Sequence, residues 1–214
     1  MKIFDLSLYL VTDRGLTKNR PLEAIIKEAI EGGVSLVQIR EKDCSSLDFY
    51  ELALRIKSLL APYQIPLIIN DRVDIALAVD ADGLHIGQSD LPYSVARNLL
   101  GKDKIIGLSV ENLQQAKEAN ALDVDYIGLS PVFYTDTKND IAPTLGLEGI
   151  KEIAKISKHR MVGIGGINTS NASDIVSSGA EGIAVISAIL SHLDPKKAAM
   201  ELQKCVSKIN NHEI

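Results

Sequence analysis

The stretch LEAIIKEAIEGGVSLVQIREK, from Leu22 to Lys42, holds a helix and a strand with a stop between them. Leu22, Ile25, Ile26, Ala29 and Ile30 recur at helical spacing and form one apolar stripe, and Gly32-Gly33 ends it. From residue 35 the chain changes period. An apolar run leads into Gln38, Arg40 and Lys42, which an extended backbone turns to one face while Val37 and Ile39 turn to the other. A further apolar strand candidate at 6–13 completes a strand-helix-strand unit, whose crossover makes its two strands parallel neighbours.

The same alternation continues outward. Strands are predicted at 6–13, 35–42, 66–71, 83–88, 104–110, 125–133, 161–167 and 182–190. Helices are predicted after them at 47–60, 73–79, 92–100, 113–120, 147–156, 170–178 and 195–209, in addition to the one beginning at Leu22. Eight such units predict a (β/α)8 TIM barrel of the α/β class rather than an open doubly wound sheet. No Pro- or Ser-rich linker divides the chain, so residues 1–214 are expected to form a single catalytic domain with short loops.

Composition narrows the function classes. The chain has 46% hydrophobic and 24% charged residues and a formal charge of −5, so nothing global attracts nucleic acid or anionic lipid. Anion chemistry must come from a local cluster. Cys44 and Cys205 lie far apart, which fits a reducing compartment better than a disulfide framework. The start, Met1-Lys2 and a short apolar strand, does not read as a signal peptide, and no apolar run approaches the roughly 18–20 residues of a membrane span. The expected location is the cytoplasm.

In a parallel barrel, chemistry sits where the strands end. Arg40 at such an end faces the barrel interior, where a guanidinium without an anion carries a large desolvation cost, and a phosphate gripped by two parallel hydrogen bonds removes it. Asn70-Asp71 follows the run Leu67-Ile68-Ile69, and Asp90 follows Leu84-His85-Ile86-Gly87. Such residues also serve as ordinary turns and helix N-caps. On neighbouring strand ends, however, Asp71 and Asp90 can jointly coordinate Mg²⁺, which takes a few carboxylates, waters and substrate phosphates. There is no His/Cys cluster suited to zinc, and His85 reads equally as a satisfied core histidine or a ligand contact.

A second anion signal lies on the far strands. Gly163-Ile164-Gly165-Gly166-Ile167 ends strand seven and Ile186-Ser187 follows in strand eight, where barrels offer backbone N–H groups to phosphate. Between strand six and the next helix, Pro131-Val132-Phe133-Tyr134-Thr135-Asp136-Thr137-Lys138 supplies hydroxyls and an ammonium suited to a loop closing over phosphates. Two phosphate sites at one mouth suggest two phosphorylated substrates, one of them metal-bound. With no obvious nucleophile, the expected contribution is positioning and stabilisation of an anionic leaving group.

At these residues the chain resembles the thiamine-phosphate synthase family. The resemblance rests on YLVTD (Tyr9 to Asp13), VQIREK (Val37 to Lys42), INDRVD (Ile69 to Asp74), LHIGQ (Leu84 to Gln88), Asp90, PVF (Pro131 to Phe133), Thr135, Thr137-Lys138, Gly146-Leu147, GGI (Gly165 to Ile167) and VIS (Val185 to Ser187), in order across nearly the whole chain. It implies a transferase that joins 4-amino-2-methyl-5-(diphosphooxymethyl)pyrimidine to a phosphorylated hydroxyethylthiazole or its carboxylated form, releasing pyrophosphate. By that likeness Gln38, Ile39, Arg40, Glu41, Lys42, Asn70, Ser109 and Lys138 hold the pyrimidine diphosphate, with His85 near the pyrimidine. Asp71 and Asp90 bind one Mg²⁺, and Thr135, Asp136, Thr137, Gly166, Ile186 and Ser187 hold the thiazole phosphate. Arg40, Lys42 and Lys138 carry the catalytic charge, and a homodimer is implied. Ser130 and Tyr134 depart from the glycine and proline common in the family at those positions, which bears on loop dynamics rather than on any charged contact.

Two other readings share this scaffold. A thiazole tautomerase is expected to carry a catalytic histidine near Pro131 and to lack parts of the Gln-Arg-Lys and Asn-Asp sets, both of which are present here. A non-catalytic thiamine-phosphate sensor is expected to carry a partner-binding extension, whereas residues 210–214 form only a short polar tail.

Overall fold

The computed structural model describes residues 4–135 and 143–210, with side chains through residue 207. Eight strands close a parallel barrel in chain order: β1 (Leu8–Val11), β2 (Leu36–Ile39), β3 (Leu67–Asn70), β4 (Gly83–Ile86), β5 (Ile105–Val110), β6 (Tyr126–Leu129), β7 (Arg160–Ile164) and β8 (Gly182–Val185). The register runs Leu10 to Val37 between β1 and β2 and closes with Leu8 opposite Ile183 between β1 and β8.

The outer ring comprises α1 (Leu22–Glu31), α2 (Ser46–Leu60), α3 (Val73–Ala78), α4 (Tyr93–Leu100), α5 (Leu113–Ala119), α6 (Gly146–Ala154), α7 (Ala172–Ser177), α8 (Ser187–Leu190) and α9 (Pro195–Asn210). Each longer helix turns an apolar stripe inward. On α1 the stripe read from the sequence is the buried face, Leu22, Ile25, Ile26, Ala29 and Ile30. Burying each such branched side chain contributes about 1.5–3 kcal/mol against conformational entropy. Ser45 starts α2 by accepting the Asp48 N–H at 3.1 Å, and Asn112 starts α5 by accepting the Gln115 N–H at 2.9 Å. On β2, Val37 and Ile39 are buried against this ring, while Gln38 and, just past the strand, Arg40 line the barrel interior.

Among the strand boundaries that differ from expectation, three have a local reason. β2 stops at Ile39, so the pleat does not carry Lys42; that lysine reaches the mouth from the connection between Ile39 and α2. β6 stops at Leu129 rather than running to Phe133, because Pro131 has no N–H to give a ladder. The predicted eighth strand, 182–190, is two elements. Ile186 leaves the extended region at φ −117 and ψ −82, and Leu190 donates its N–H to Ile186 O at 3.0 Å inside α8. Because α8 packs its apolar residues inward as β8 does, a continuous apolar run could not mark the change.

Candidate active site

A cavity of about 790 Å³ opens at the C-terminal ends of the early strands, with Asp13, Arg40, Lys42, Asn70, Asp71 and Asp90 in its wall. The chain leaves β3 through Asp71 in the left-handed region at φ 61, which an aspartate tolerates better than most residues, with the Asp71 N–H donating to His85 O at 2.8 Å. Lys42 Nζ donates to Asp71 Oδ2 at 2.6 Å. Asp90 Oδ2 accepts the Gly87 N–H at 2.7 Å. Partial burial pushes the Asp90 carboxyl above the ordinary carboxylate value, and the neighbouring Asp71 carboxylate adds to that rise; the Gly87 N–H and the Lys42 ammonium oppose it. Two carboxylates thus crowd one wall with a cation beside them.

Arg40 is mostly withdrawn from solvent, at 16% side-chain exposure, and its ion pair to Asp13 is long, Nη1 to Oδ2 3.8 Å. A desolvated guanidinium so loosely matched keeps most of its hydrogen-bonding capacity for an anion. Asp13 accepts the Gly15 N–H at 2.9 Å, which fixes the turn after β1.

The barrel floor beneath carries a polar row. Gln38, Asn70, His85 and Ser109 line a deeper space with Gly128, Ile164, Ala184 and Ile186. This space shares Arg40, Asn70, His85 and Ser109 with the charged cavity. On the opposite side it shares Ile164, Ala184 and Ile186 with a small recess whose wall also holds Ser130, Thr135, Gly165, Gly166 and Ser187. Glycine backbone at Gly165 and Gly166 forms part of the recess wall. Beyond β6 the chain runs beside β7, with the Val132 N–H donating to Ile164 O at 2.9 Å and the Phe133 N–H to Gly165 O at 3.1 Å. Gly165 and Gly166 stand at φ 106 and 65, and a Cβ on Gly166 would lie 2.5 Å from Tyr134 O. Only glycine fits that approach.

The family model for thiamine monophosphate synthase matches residues 8–189. This chain belongs to the thiamine monophosphate synthase family. Members of this family are transferases of thiamine biosynthesis. The chain is 52% identical over 208 residues to the thiamine-phosphate synthase of Clostridium acetobutylicum, covering 97% of this chain and 98% of the relative. It is 51% identical over 200 residues to that of Syntrophomonas wolfei, covering 94% and 96%. Among solved structures, thiamine phosphate pyrophosphorylase from Pyrococcus furiosus matches with a TM-score of 0.87 at 41% identity, over 95% of this chain and 96% of that one. Orotidine 5'-phosphate decarboxylase from Pyrococcus horikoshii, 18% identical with a TM-score of 0.67 over 92% and 99% of the two chains, shares the barrel alone.

Within this family assignment, the geometry separates the residues singled out in the sequence. Gln38, Arg40, Lys42, Asn70, Asp71, His85, Asp90 and Ser109 converge on the charged cavity and its floor. Gly166, Ile186, Ser187 and Thr135 meet in the recess. Two of the named residues stand apart from these walls. The Ile39 side chain is fully buried and outside the walls of all three spaces, so its contribution there is limited to backbone. Glu41 is likewise outside those walls: Arg14 Nε donates to its Oε2 at 2.8 Å, so it anchors the turn after β1. Asp136, Thr137 and Lys138 lie outside the described residues.

Asp13 and Gln88 line the charged cavity without having been singled out, and Gln88 Nε2 donates to Ser109 O at 2.6 Å. Each is the last residue of a quoted motif, Asp13 of YLVTD and Gln88 of LHIGQ, which is the signal that could have found them. Where a tautomerase is expected to place a histidine, this chain has Pro131.

Proposed function

We propose that this chain condenses the pyrimidine diphosphate with the thiazole phosphate to give thiamine phosphate and pyrophosphate, with residues 1–214 acting as one catalytic domain. The single observation that carries the reading is the shared walls of the three spaces: a charged cavity, a floor of hydrogen-bonding groups and a glycine-lined recess adjoin in one barrel mouth. That order suits a diphosphate at one end, a monophosphate at the other and two heterocycles meeting over the floor.

The donor set fits one Mg²⁺. Burial first and the neighbouring Asp71 carboxylate second raise the proton affinity of Asp90, and a divalent cation between the two carboxylates relieves the repulsive part. Among the described residues no three His, Cys, Asp or Glu side chains gather as a metal cage, which leaves water and diphosphate oxygens as the remaining ligands, as Mg²⁺ prefers. When bound, the ion supplies Lewis-acid stabilisation of the departing pyrophosphate.

Arg40 and Lys42 supply fixed positive charge where that negative charge develops, and Lys138 joins them by its place in the sequence. The bond from the exocyclic carbon to the diphosphate oxygen breaks with its electron pair leaving on pyrophosphate. The thiazole nitrogen then donates its pair to the carbon. Asn70, His85 and Ser109 orient the pyrimidine for that attack, and the N–H groups around Gly166 and Ser187 hold the thiazole phosphate, with Thr135, Asp136 and Thr137 closing from the loop.

The partners are these two small substrates, and the compartment is the cytoplasm, in keeping with two free cysteines. No helix among the described residues is long and apolar enough to cross a membrane. A second copy of the chain is the proposed cover for Leu47, Leu77 and Leu99, large apolar side chains left exposed on α2, α3 and α4.

Incubation of the pure protein with both substrates and Mg²⁺ tests the reading. Thiamine phosphate with one equivalent of pyrophosphate supports it. An isomerised thiazole alone means tautomerase, and binding without turnover means sensor.

A further inference from the structure

From the floor of the proposed substrate site downward, five side chains from five strands form one hydrogen-bonded line across the barrel. Gln38 Nε2 donates to Tyr9 Oη at 2.5 Å, Tyr9 Oη lies 2.9 Å from Tyr126 Oη, Tyr126 Oη 2.9 Å from His85 Nδ1, and His85 Nε2 2.9 Å from Ser109 Oγ. Tyr9 and Tyr126 are almost fully buried. Burial pushes both phenols far above their ordinary value, so each hydroxyl keeps one proton. The barrel is shaped around them. Gly107 pairs with His85 on one side and Tyr126 on the other, and a Cβ there would lie 2.4 Å from Tyr126 Oη. A Cβ on Gly128 would lie 3.2 Å from His85 Cε1.

The direction of the line follows from its first member. A carboxamide N–H fills the Tyr9 oxygen, so the Tyr9 proton goes to Tyr126, and the Tyr126 proton goes on to His85 Nδ1. An Nδ1 that accepts carries no proton of its own, so Nε2 carries it and donates to Ser109. The Ser109 oxygen is then filled from behind, and its proton turns toward the cavity.

We propose that Tyr9 and Tyr126 are positioning residues that hold His85 as its neutral Nε2–H tautomer and thereby make the Ser109 hydroxyl a hydrogen-bond donor to the substrate. Neither tyrosine lies in the charged cavity; Tyr126 lines none of the three spaces, and Tyr9 reaches only the deeper space beneath the cavity. Only the substrate end of this proposal rests on the synthase reading. The reverse line, with the Gln38 carbonyl toward Tyr9, is equally continuous but protonates Nδ1 and leaves Ser109 donating to His85 instead of to substrate.

Nitrogen-15 spectra of the full-length protein with labelled histidine separate the two without any turnover. The His85 signal is identified by its loss in His85→Gln. At neutral pH the expected pattern is one tautomer with the proton on Nε2; a proton on Nδ1, or an averaged imidazole, overturns the proposal. Tyr126→Phe removes the proton that fills Nδ1 and is expected to convert the His85 signal to a tautomer mixture. By loss of one oriented hydrogen bond, kcat/KM for the pyrimidine diphosphate should fall about tenfold in that variant with KM for the thiazole phosphate unchanged. Tyr9→Phe, one link further away, is the second variant and should shift the same signal in the same direction. A His85 spectrum unchanged in both variants overturns the proposal even if turnover falls. The expected spectra from a protein that makes no thiamine phosphate would leave the tautomer assignment standing and fail the synthase reading instead.

Discussion

Under the proposed reading, the two ends of the barrel mouth hold anions by different means. On the side of β2 to β4 the work falls to charged side chains, Arg40, Lys42, Asp71 and Asp90, set on strand ends and turns. On the side of β7 and β8 it falls to backbone N–H groups that glycine exposes. A side-chain site is dismantled by deleting one side chain; a backbone site is disturbed only by changing the path of the chain. The difference orders the consequences of mutation.

The largest effect is expected on the charged side. Lys42→Ala removes an ammonium from the region of the leaving pyrophosphate and should lower kcat/KM by roughly 10²–10³-fold, as loss of one preorganised electrostatic contact does. Its ion pair to Asp71 joins a half-exposed lysine to a carboxylate, and such pairs contribute only about 0–1 kcal/mol, so the melting temperature should barely move. Kinetics and thermal melting on the same preparation check this. Parallel losses in both would assign Lys42 to the scaffold and erase the contrast.

Gly166→Ala should come next. Its φ of 65 and the 2.5 Å approach to Tyr134 O force the chain to shift, costing about 1–3 kcal/mol of stability and raising KM for the thiazole phosphate about tenfold, with KM for the pyrimidine diphosphate little changed. Ser187→Ala at the start of α8 is its counterpart. It keeps the N–H and the path, so it should cost less than about fivefold in the same KM. If Ser187→Ala proves the more damaging, the recess binds through its hydroxyl rather than its backbone.

The comparison also explains what the sequence revealed. The barrel was legible because eight apolar runs alternate with helical stripes, a pattern that burial imposes on every unit. The charged site was legible because Arg40, Lys42 and Asp71 are residues for which burial at a strand end is costly without a ligand. The strand-to-helix change at Ile186 was hidden, since both elements are apolar and buried. The row from Tyr9 to Ser109 was hidden for a different reason: its members are up to 117 residues apart, and nothing local in a buried strand shows that two tyrosine hydroxyls meet. Tyr126 beneath the gap left by Gly107 is a relation between strands, not within one. The contact of Glu41 with Arg14 was hidden as well, because it is set by the turn after β1.

The smallest effect is on stability, and it has an unusual sign. Asp90 has a folded-state proton affinity above its ordinary value, so the folded protein binds that proton more tightly than the unfolded chain does. Its favourable contribution is therefore complete below the ordinary value of 3.8 and is lost as pH rises through the higher folded value; at neutral pH the ionised carboxylate opposes folding. Asp90→Asn removes that charge while its amide oxygen can still accept the Gly87 N–H. In the absence of divalent metal at pH 7 the variant should melt higher than the parent, by on the order of 1–2 °C because the group is partly exposed and screened. The difference should close as both are taken to acid pH. Added Mg²⁺ should then reverse the order, stabilising the parent by occupying the pair of carboxylates and leaving the variant where it was. Equal stabilisation of both by Mg²⁺ would remove Asp90 from the metal site and leave the charged half of the mouth resting on Arg40, Lys42 and Asp71.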